Sequence, residues 1–208
     1  MYLFVKRIGD LFLSLLGLVV LSPLFVVLAI LIKSDSKGTV FFVQNRVGKN
    51  KKIFKLYKFR SMRSDVDHNA PTHLLKDPDA CITKVGAFMR KTSLDELPQI
   101  INIIKGDMAI IGPRPALWNQ DDLIAERDKY GANDVKPGLT GWAQINGRDE
   151  LSIEVKARLD GEYVKKMCLW FDVKCFFLTF GAVFVQKGVV EGGTGVLKSQ
   201  VEARRLGA

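Results

Sequence analysis

Cysteine and histidine are scarce in this sequence, and the scarcity limits the sites it can build. Its 208 residues include three cysteines and two histidines. The cysteines are odd in number and form no Cys-x-x-Cys pair, which favours a reducing, cytosol-facing location over secretion. His68 and His73 share a polar loop with acidic residues, but no third ligand has zinc spacing. A metal site at these histidines is therefore a weak alternative.

Acidic residues are also in the minority. Lys and Arg number 31 against 22 Asp and Glu, for a formal charge of +9. This surplus favours polyanionic partners such as nucleic acid, anionic lipid or a phosphorylated substrate. Internal repeats are absent, and 48% hydrophobic with 25% charged residues excludes a disordered polar chain. The length fits one domain of ordinary size.

Charge is missing altogether from Leu11 to Ile32. As one helix this segment would measure about 33 Å, enough to cross the hydrocarbon core of a bilayer. It is too long for the apolar part of a signal peptide, and no small-residue cleavage site follows it. Ser22-Pro23 interrupts it near the middle, where proline leaves the Val19 carbonyl without its helical partner. We expect a retained membrane segment, bent at Pro23, in which the Ser22 hydroxyl helps to satisfy the backbone.

Two topologies fit this segment. A kinked helix that spans the bilayer is the commoner structure. However, basic residues flank both ends, Lys6 and Arg7 before it and Lys33 and Lys37 after it, whereas positive charge normally marks only the cytoplasmic side. A re-entrant helix, which enters and returns, places both flanks on that side. The residues alone leave both topologies open.

The rest of the chain predicts an α+β fold. Residues 39–62 read as two strands around the turn Gly-Lys-Asn-Lys-Lys, and residues 64–82 as a polar loop. An aromatic-rich helix near 169–186 has uncharged runs too short to span a bilayer, so it is either buried core or, as we prefer, a helix in the membrane interface.

Two adjacent acids, Asp95 and Glu96, begin a run with helical spacing of apolar residues. Ser93 and Glu96 have the spacing of a capping box, so the acids have a purely structural explanation. Pro98 weakens that explanation, since it is tolerated best at the very start of a helix, and it leaves the helix start open. With Arg90 nearby, two carboxylates could instead hold a divalent cation, a nucleophile and a phosphate together.

Three further features suit phosphate chemistry. The helix ends at Gly106, and Arg114 follows between two prolines, which either preorganise it for a phosphate or merely form a surface turn. The stretch 136–148 combines Pro-Gly and Asn-Gly turns with a short strand and ends at Arg148. Asp160 lies on the apolar face of a later helix, where an acid needs a partner.

The motifs resemble those of a known family when taken in order. Ser-Leu-Asp-Glu-Leu-Pro-Gln, Lys-Gly-Asp-Met, Gly-Pro-Arg-Pro and Pro-Gly-Leu-Thr-Gly-Trp-Ala-Gln-Ile-Asn-Gly-Arg follow the interrupted apolar segment. Lys-Arg-Ile-Gly-Asp precedes that segment and Tyr-Lys-Phe-Arg-Ser-Met follows it. The combination resembles the monotopic phosphoglycosyl transferases, a bacterial sugar transferase family, over nearly the whole chain. Its length is similar to that of the small members, which consist of the catalytic unit alone.

This resemblance implies an activity and a site. A phosphosugar would pass from a UDP-sugar to undecaprenyl phosphate in two displacements, with release of UMP. Asp95 would be the nucleophile that forms a covalent aspartyl-phosphosugar and would contact Mg²⁺, and Glu96 would be its acidic partner. The substrate-binding residues implied by the resemblance are Arg90, Arg114, Arg148, Lys58, Arg60 and Asp160.

The resemblance also implies a location. Ser22 and Pro23 would form the break of a re-entrant anchor, residues 1–36, which places the catalytic domain, residues 37–208, on the cytoplasmic face of the bacterial inner membrane. It implies a lipid bilayer and no nucleic acid as partner, and a homo-oligomer stays open. Position 136 is a lysine here, whereas many members have arginine. Lysine keeps the positive charge but loses the bidentate geometry of a guanidinium. The competing hypothesis is a membrane-tethered basic module that binds nucleic acid or anionic lipid without catalysis.

Overall fold

The computed structural model describes residues 1–63, 81–147 and 151–184 and has the predicted mainly helical α+β fold. The helices are α1 (Tyr2–Asp35), α2 (Lys84–Lys91), α3 (Gln99–Lys105), α4 (Asp121–Asp128), α5 (Trp142–Ile145), α6 (Ile153–Lys166) and α7 (Leu169–Phe184). The strands are β1 (Phe41–Val47), β2 (Ile53–Phe59), β3 (Ala109–Ile111) and β4 (Gly138–Thr140). His68, His73 and the zinc alternative lie outside the described residues.

Helix α1 is long and apolar enough to cross a membrane, and within the described ranges it is the one helix that is. It continues through Pro23, and the re-entrant break at Ser22 and Pro23 stays a prediction. The contact we expected is present: the Ser22 hydroxyl donates a hydrogen bond to the Val19 carbonyl at 2.8 Å. The carbonyl that proline leaves without its N–H partner is thereby satisfied inside the helix.

Both ends of α1 pack against the remainder of the protein. Near its C-terminus, Leu28 and Ile32 are buried against Phe59 and Met89. Near its N-terminus, the Arg7 guanidinium donates to two carbonyls at the end of α3. Many apolar side chains elsewhere on α1 are exposed, which is expected of a surface that meets lipid rather than water.

The predicted hairpin is confirmed. Strands β1 and β2 pair antiparallel, from Phe41 opposite Phe59 to Val47 opposite Ile53. The five-residue turn between them contains a 3₁₀ turn in which Asn50 adopts a left-handed conformation with φ of 53°. Strand β2 places Leu56 and Phe59 in the core and carries Lys58 between them.

A second sheet, which the sequence did not predict, joins two of the motifs. Strands β3 and β4 pair in parallel, with Ala109 opposite Gly138 and Ile111 opposite Thr140. Directly after β3, position 112 requires glycine, because a Cβ there would lie 2.6 Å from the Lys136 carbonyl oxygen. The short strands thus bring the Gly-Pro-Arg-Pro segment beside the Lys-Pro-Gly segment.

Helix α7 has two different faces. Phe171 and Cys175 are buried, whereas Trp170 and Phe177 are 78% and 67% exposed. A helix with one packed face and one exposed aromatic face suits the interface between water and lipid. Its position in a membrane stays a prediction.

Candidate active site

The two acids lie in a tight turn ahead of α3. Residues Leu94–Glu96 form a 3₁₀ turn that follows Ser93 in a left-handed conformation, with φ of 58°. The capping box that offered a structural explanation is absent: Ser93 makes no side-chain cap. The helix start that was left open lies at Gln99, with Pro98 before it. The Glu96 side chain turns away from the local backbone and bonds to distant cations instead.

Glu96 is held by two basic side chains. The Arg114 guanidinium donates through Nη2 at 2.6 Å and Nη1 at 3.3 Å to its two carboxylate oxygens. The Lys58 ammonium donates to Oε1 at 2.8 Å. Burial raises the pKa of Glu96, but the charges of Arg114 and Lys58 outweigh it and hold that pKa well below its usual range. Glu96 is therefore a fixed anion that positions two cations.

The pKa of Asp95 is displaced in the direction opposite to that of Glu96. Its side chain is largely buried, and its carboxylate lies 3.7 Å from the Lys58 ammonium. Burial raises the pKa of Asp95, the charges of Lys58 and Arg90 lower it, and the neighbouring Glu96 raises it. The net direction is upward. Adjacent acids with pKa values displaced in opposite directions are typical of sites that assign them different tasks.

Two arginines predicted to bind phosphate belong to this cluster. Arg114 extends to Glu96 from the Gly112-Pro113 turn, whose Pro113 carbonyl accepts a hydrogen bond from Gly138 N at 2.9 Å. Arg90, near the end of α2, contributes a positive charge at Asp95 and lies 3.8 Å from the Met62 sulfur. The structure therefore brings Asp95, Glu96, Lys58, Arg90 and Arg114 together, from four separate segments of the chain.

Arg60 is placed elsewhere. Its side chain is directed to the end of α1, where it donates to the Ser36 carbonyl at 2.7 Å, the Lys37 carbonyl at 2.7 Å and the Ser36 hydroxyl at 2.9 Å. The residue is 4% exposed. A helix C-terminus has unpaired carbonyls and a partial negative charge. This guanidinium donates hydrogen bonds there and its positive charge complements the dipole. These bonds fasten the end of α1, and the substrate-binding role of Arg60 stays a prediction.

Asp160 is also engaged in the interior. It is 1% exposed and accepts hydrogen bonds from Arg127 Nε at 2.8 Å and Nη2 at 2.5 Å. Burial raises the pKa of Asp160, and the Arg127 charge opposes that rise. The expectation that this acid needs a partner is confirmed by this ion pair between α4 and α6, and its substrate-binding role stays a prediction. Arg148 lies outside the described residues, so its phosphate role stays a prediction.

The sequence missed a second polar network near the ends of α1 and α7. The Asp172 carboxylate accepts hydrogen bonds from Tyr2 at 2.7 Å, Lys6 at 2.8 Å and Tyr163 at 2.8 Å. The one available signal was Asp172 itself, a carboxylate within an otherwise aromatic segment. Its partners are distant in sequence, so no local pattern could have identified them.

Comparison with known proteins decides the family. The sequence model described as bacterial sugar transferase matches residues 1–186. The chain belongs to this family. It is 40% identical over 195 residues to the UDP-glucose:undecaprenyl-phosphate glucose-1-phosphate transferase of Escherichia coli (strain K12), which covers 88% of this chain and 40% of that protein.

Two further members of the family show its range. Identity is 38% over 196 residues with the UDP-N-acetylgalactosamine-undecaprenyl-phosphate N-acetylgalactosaminephosphotransferase of Aeromonas hydrophila, covering 90% of this chain and 44% of that protein. Identity is 40% over 184 residues with the uncharacterized sugar transferase EpsL of Bacillus subtilis (strain 168), which covers 88% of this chain and 89% of that protein. The chain thus spans less than half the length of the first two relatives.

Proposed function

We propose that this chain is a membrane-bound transferase that moves a phosphosugar from a UDP-sugar to undecaprenyl phosphate and releases UMP. The observation that carries the proposal is the contrast between the environments of two adjacent acids. Asp95 is largely buried and has a raised pKa, whereas Glu96 is held as an anion by Lys58 and Arg114. Two relatives named for transfer to undecaprenyl phosphate, one for glucose and one for N-acetylgalactosamine, support the substrate class. Because their sugars differ, the proposal names no particular sugar.

Asp95 is the nucleophile in this account. Its carboxylate oxygen attacks the β-phosphorus of the UDP-sugar, and the bond from that phosphorus to the bridging oxygen breaks with its electron pair leaving on UMP. A phosphate oxygen of undecaprenyl phosphate then attacks the same phosphorus and returns the electron pair to Asp95. Glu96 is a poorer nucleophile, because its oxygens already accept bonds from two cations and its pKa is low. Two displacements of this kind give ping-pong kinetics.

The cations of the cluster stabilise the phosphates. A guanidinium has five N–H donors, and Arg114 uses two of them on Glu96, which fixes its plane before substrate arrives. Arg90 and Lys58 contribute charge on the Asp95 side. Charges held in place in advance need no reorganisation as negative charge develops during the reaction. Arg148 is proposed as a further donor from the resemblance alone.

The donor set fits Mg²⁺. Within residues 1–63, 81–147 and 151–184, no three His, Cys, Asp or Glu side chains are grouped so that they could hold a metal ion by themselves. Mg²⁺ is commonly held by one or two carboxylates together with water and substrate phosphates, so a full protein cage is not needed. Asp95 would hold the ion, since Glu96 is occupied by Lys58 and Arg114. The ion would supply charge neutralisation between the carboxylate and the diphosphate.

The proposed location is the cytoplasmic face of the bacterial inner membrane, with α1 as a re-entrant anchor. A spanning helix has its ends on opposite sides of the hydrocarbon. Here Arg7 near one end bonds to α3, and Ser36 at the other end bonds to Arg60 beside β2. Contacts of both ends with one folded domain favour an anchor that returns to the side it entered.

The test is UMP release from a panel of UDP-sugars with undecaprenyl phosphate. At least one sugar should give UMP with the wild type, and Asp95→Asn should remove that activity while Asp134→Asn, an exposed aspartate, retains it. The competing hypothesis of a basic binding module predicts no UMP from any sugar. Equal activity of the two variants would contradict the assignment of Asp95.

A further inference from the structure

Two basic side chains lie at the C-terminal end of α3, the end away from Asp95 and Glu96. The helix ends at Gly106, whose φ is +92°. A Cβ built on Gly106 would lie 3.4 Å from Arg7 Nη2 and 3.6 Å from Lys136 Nζ. Two cationic groups from distant parts of the sequence therefore meet at one backbone position. Like charges this close repel unless an anion lies between them.

Arg7 has an evident structural partner. Its guanidinium donates to the Ile103 carbonyl at 2.6 Å and the Ile104 carbonyl at 2.9 Å. These bonds complement the negative end of the α3 dipole. They occupy two of five N–H donors and hold the group in a fixed orientation.

Lys136 has no such partner. Within residues 1–63, 81–147 and 151–184, no hydrogen bond or ion pair engages its ammonium. Burial, together with the positive charges of Arg7 and Lys49, lowers the pKa of Lys136, and Asp10 and Asp107 offset this only in part. Asp10 and Asp107 already accept bonds from Ile110 N and the Asn102 side chain. A partly buried lysine among cations is costly without a counter-ion.

The cluster lies where lipid phosphate groups would be found. Arg7 precedes by one helical turn the uncharged run that starts at Leu11. Leu3, Phe4 and Ile8, on the same part of α1, are exposed apolar residues. Basic side chains just outside a membrane segment attract anionic headgroups.

The cluster is separate from the proposed reaction centre. Helix α3 spans Gln99–Lys105, so its axis is about 10 Å long. Asp95 and Glu96 precede one end of it, and Arg7 and Lys136 gather at the other. A phosphate bound at the far end is therefore not the phosphate that reacts with Asp95.

We propose that Arg7 and Lys136 bind the phosphate of an anionic phospholipid headgroup. The headgroup neutralises the repulsion between the two cations and ties the start of α1 to the segment that leads into β4. The proposal depends on the membrane association of α1 and not on the transfer reaction, so it stands even if the proposed activity fails.

The test measures the charge state of Lys136 directly. The full chain, with its lysines carrying ¹³C-methyl groups, is reconstituted into nanodiscs of phosphatidylcholine alone or with added phosphatidylglycerol. The variants Lys136→Arg and Lys33→Arg assign the two resonances. Lys33 is the matched control, because it is an exposed lysine near the other end of α1. A third sample adds inorganic phosphate to the neutral nanodiscs.

A bound headgroup should raise the pKa of Lys136 well beyond the rise at Lys33 when phosphatidylglycerol is present. Equal rises at the two lysines would show only the general surface potential and would overturn the site. A rise with inorganic phosphate as large as that with phosphatidylglycerol would assign the site to free phosphate and overturn the lipid proposal. No rise at Lys136 would overturn both.

Discussion

The Arg114 guanidinium donates a hydrogen bond to each of the two carboxylate oxygens of Glu96, at 2.6 and 3.3 Å. This pair joins the turn before α3 to the turn after β3, and Lys58 reaches the same carboxylate from β2. Three elements are thus fixed around Asp95. We infer that Glu96 acts mainly by positioning cations, which leads to the following expected outcomes.

Replacement Glu96→Gln should shift the pH dependence of kcat. The Glu96 charge raises the pKa of Asp95, and the Lys58 charge lowers it. Without the Glu96 charge, and with Lys58 released toward Asp95, the pKa of Asp95 should fall. Activity lost by protonation of Asp95 should therefore be lost at lower pH than in the wild type. The measurement is kcat against pH, with Glu162→Gln on α6 as the control. An acidic limb that stays in place or moves upward would contradict the inference.

Replacement Arg114→Lys should lower kcat/KM about ten- to a hundredfold, since it loses the bidentate geometry of charge-assisted bonds worth about 1.5–3 kcal/mol each. Lysine keeps the charge, so the loss reports geometry and not charge alone. Arg158→Lys, at an exposed position on α6, is the matched control and should retain full kcat/KM. Similar values for both variants would remove Arg114 from the site.

Replacement Arg60→Lys should destabilise the fold without affecting substrate affinity. The variant loses several bonds to the end of α1 and leaves carbonyls without donors, which costs about 3 kcal/mol. A lower Tm in detergent, with unchanged KM for the UDP-sugar in the folded fraction, is expected. A raised KM with unchanged Tm would contradict this expectation and support a substrate contact of Arg60.

The re-entrant anchor can be tested by labelling. In a chain whose native cysteines are replaced, Val5→Cys and Lys37→Cys place single thiols near the two ends of α1. Both should react with a membrane-impermeant reagent from the cytoplasmic side. Reaction of the two thiols from opposite sides would establish a spanning helix and leave the chemistry of Asp95 unaffected.

Local patterns predicted those parts of the fold that depend on neighbouring residues. The hairpin, the end of α3 at Gly106 and the helix that carries Asp160 all follow from turn residues and apolar spacing. The Ser22 bond to Val19 was likewise foreseeable, since proline frees a known carbonyl one turn earlier.

Long-range contacts account for the rest. The Ser93–Glu96 spacing left a capping box open as an explanation, but the Glu96 carboxylate binds two distant cations instead. Arg60 resembled a phosphate ligand by position, whereas it donates to the Ser36 and Lys37 carbonyls directly after α1. The parallel pairing of β3 with β4 involves strands of three residues each, too short to leave a periodic signal.

The central claim is that Asp95 carries the phosphosugar between the two substrates. The most direct measurement is the intact mass of the full chain after rapid acid quenching of a mixture with a UDP-sugar and Mg²⁺ but without undecaprenyl phosphate. The account predicts an added mass of one phosphosugar, located at Asp95, absent from Asp95→Asn and discharged when undecaprenyl phosphate is added. UMP release that requires the lipid, with no adduct at any time, would contradict it.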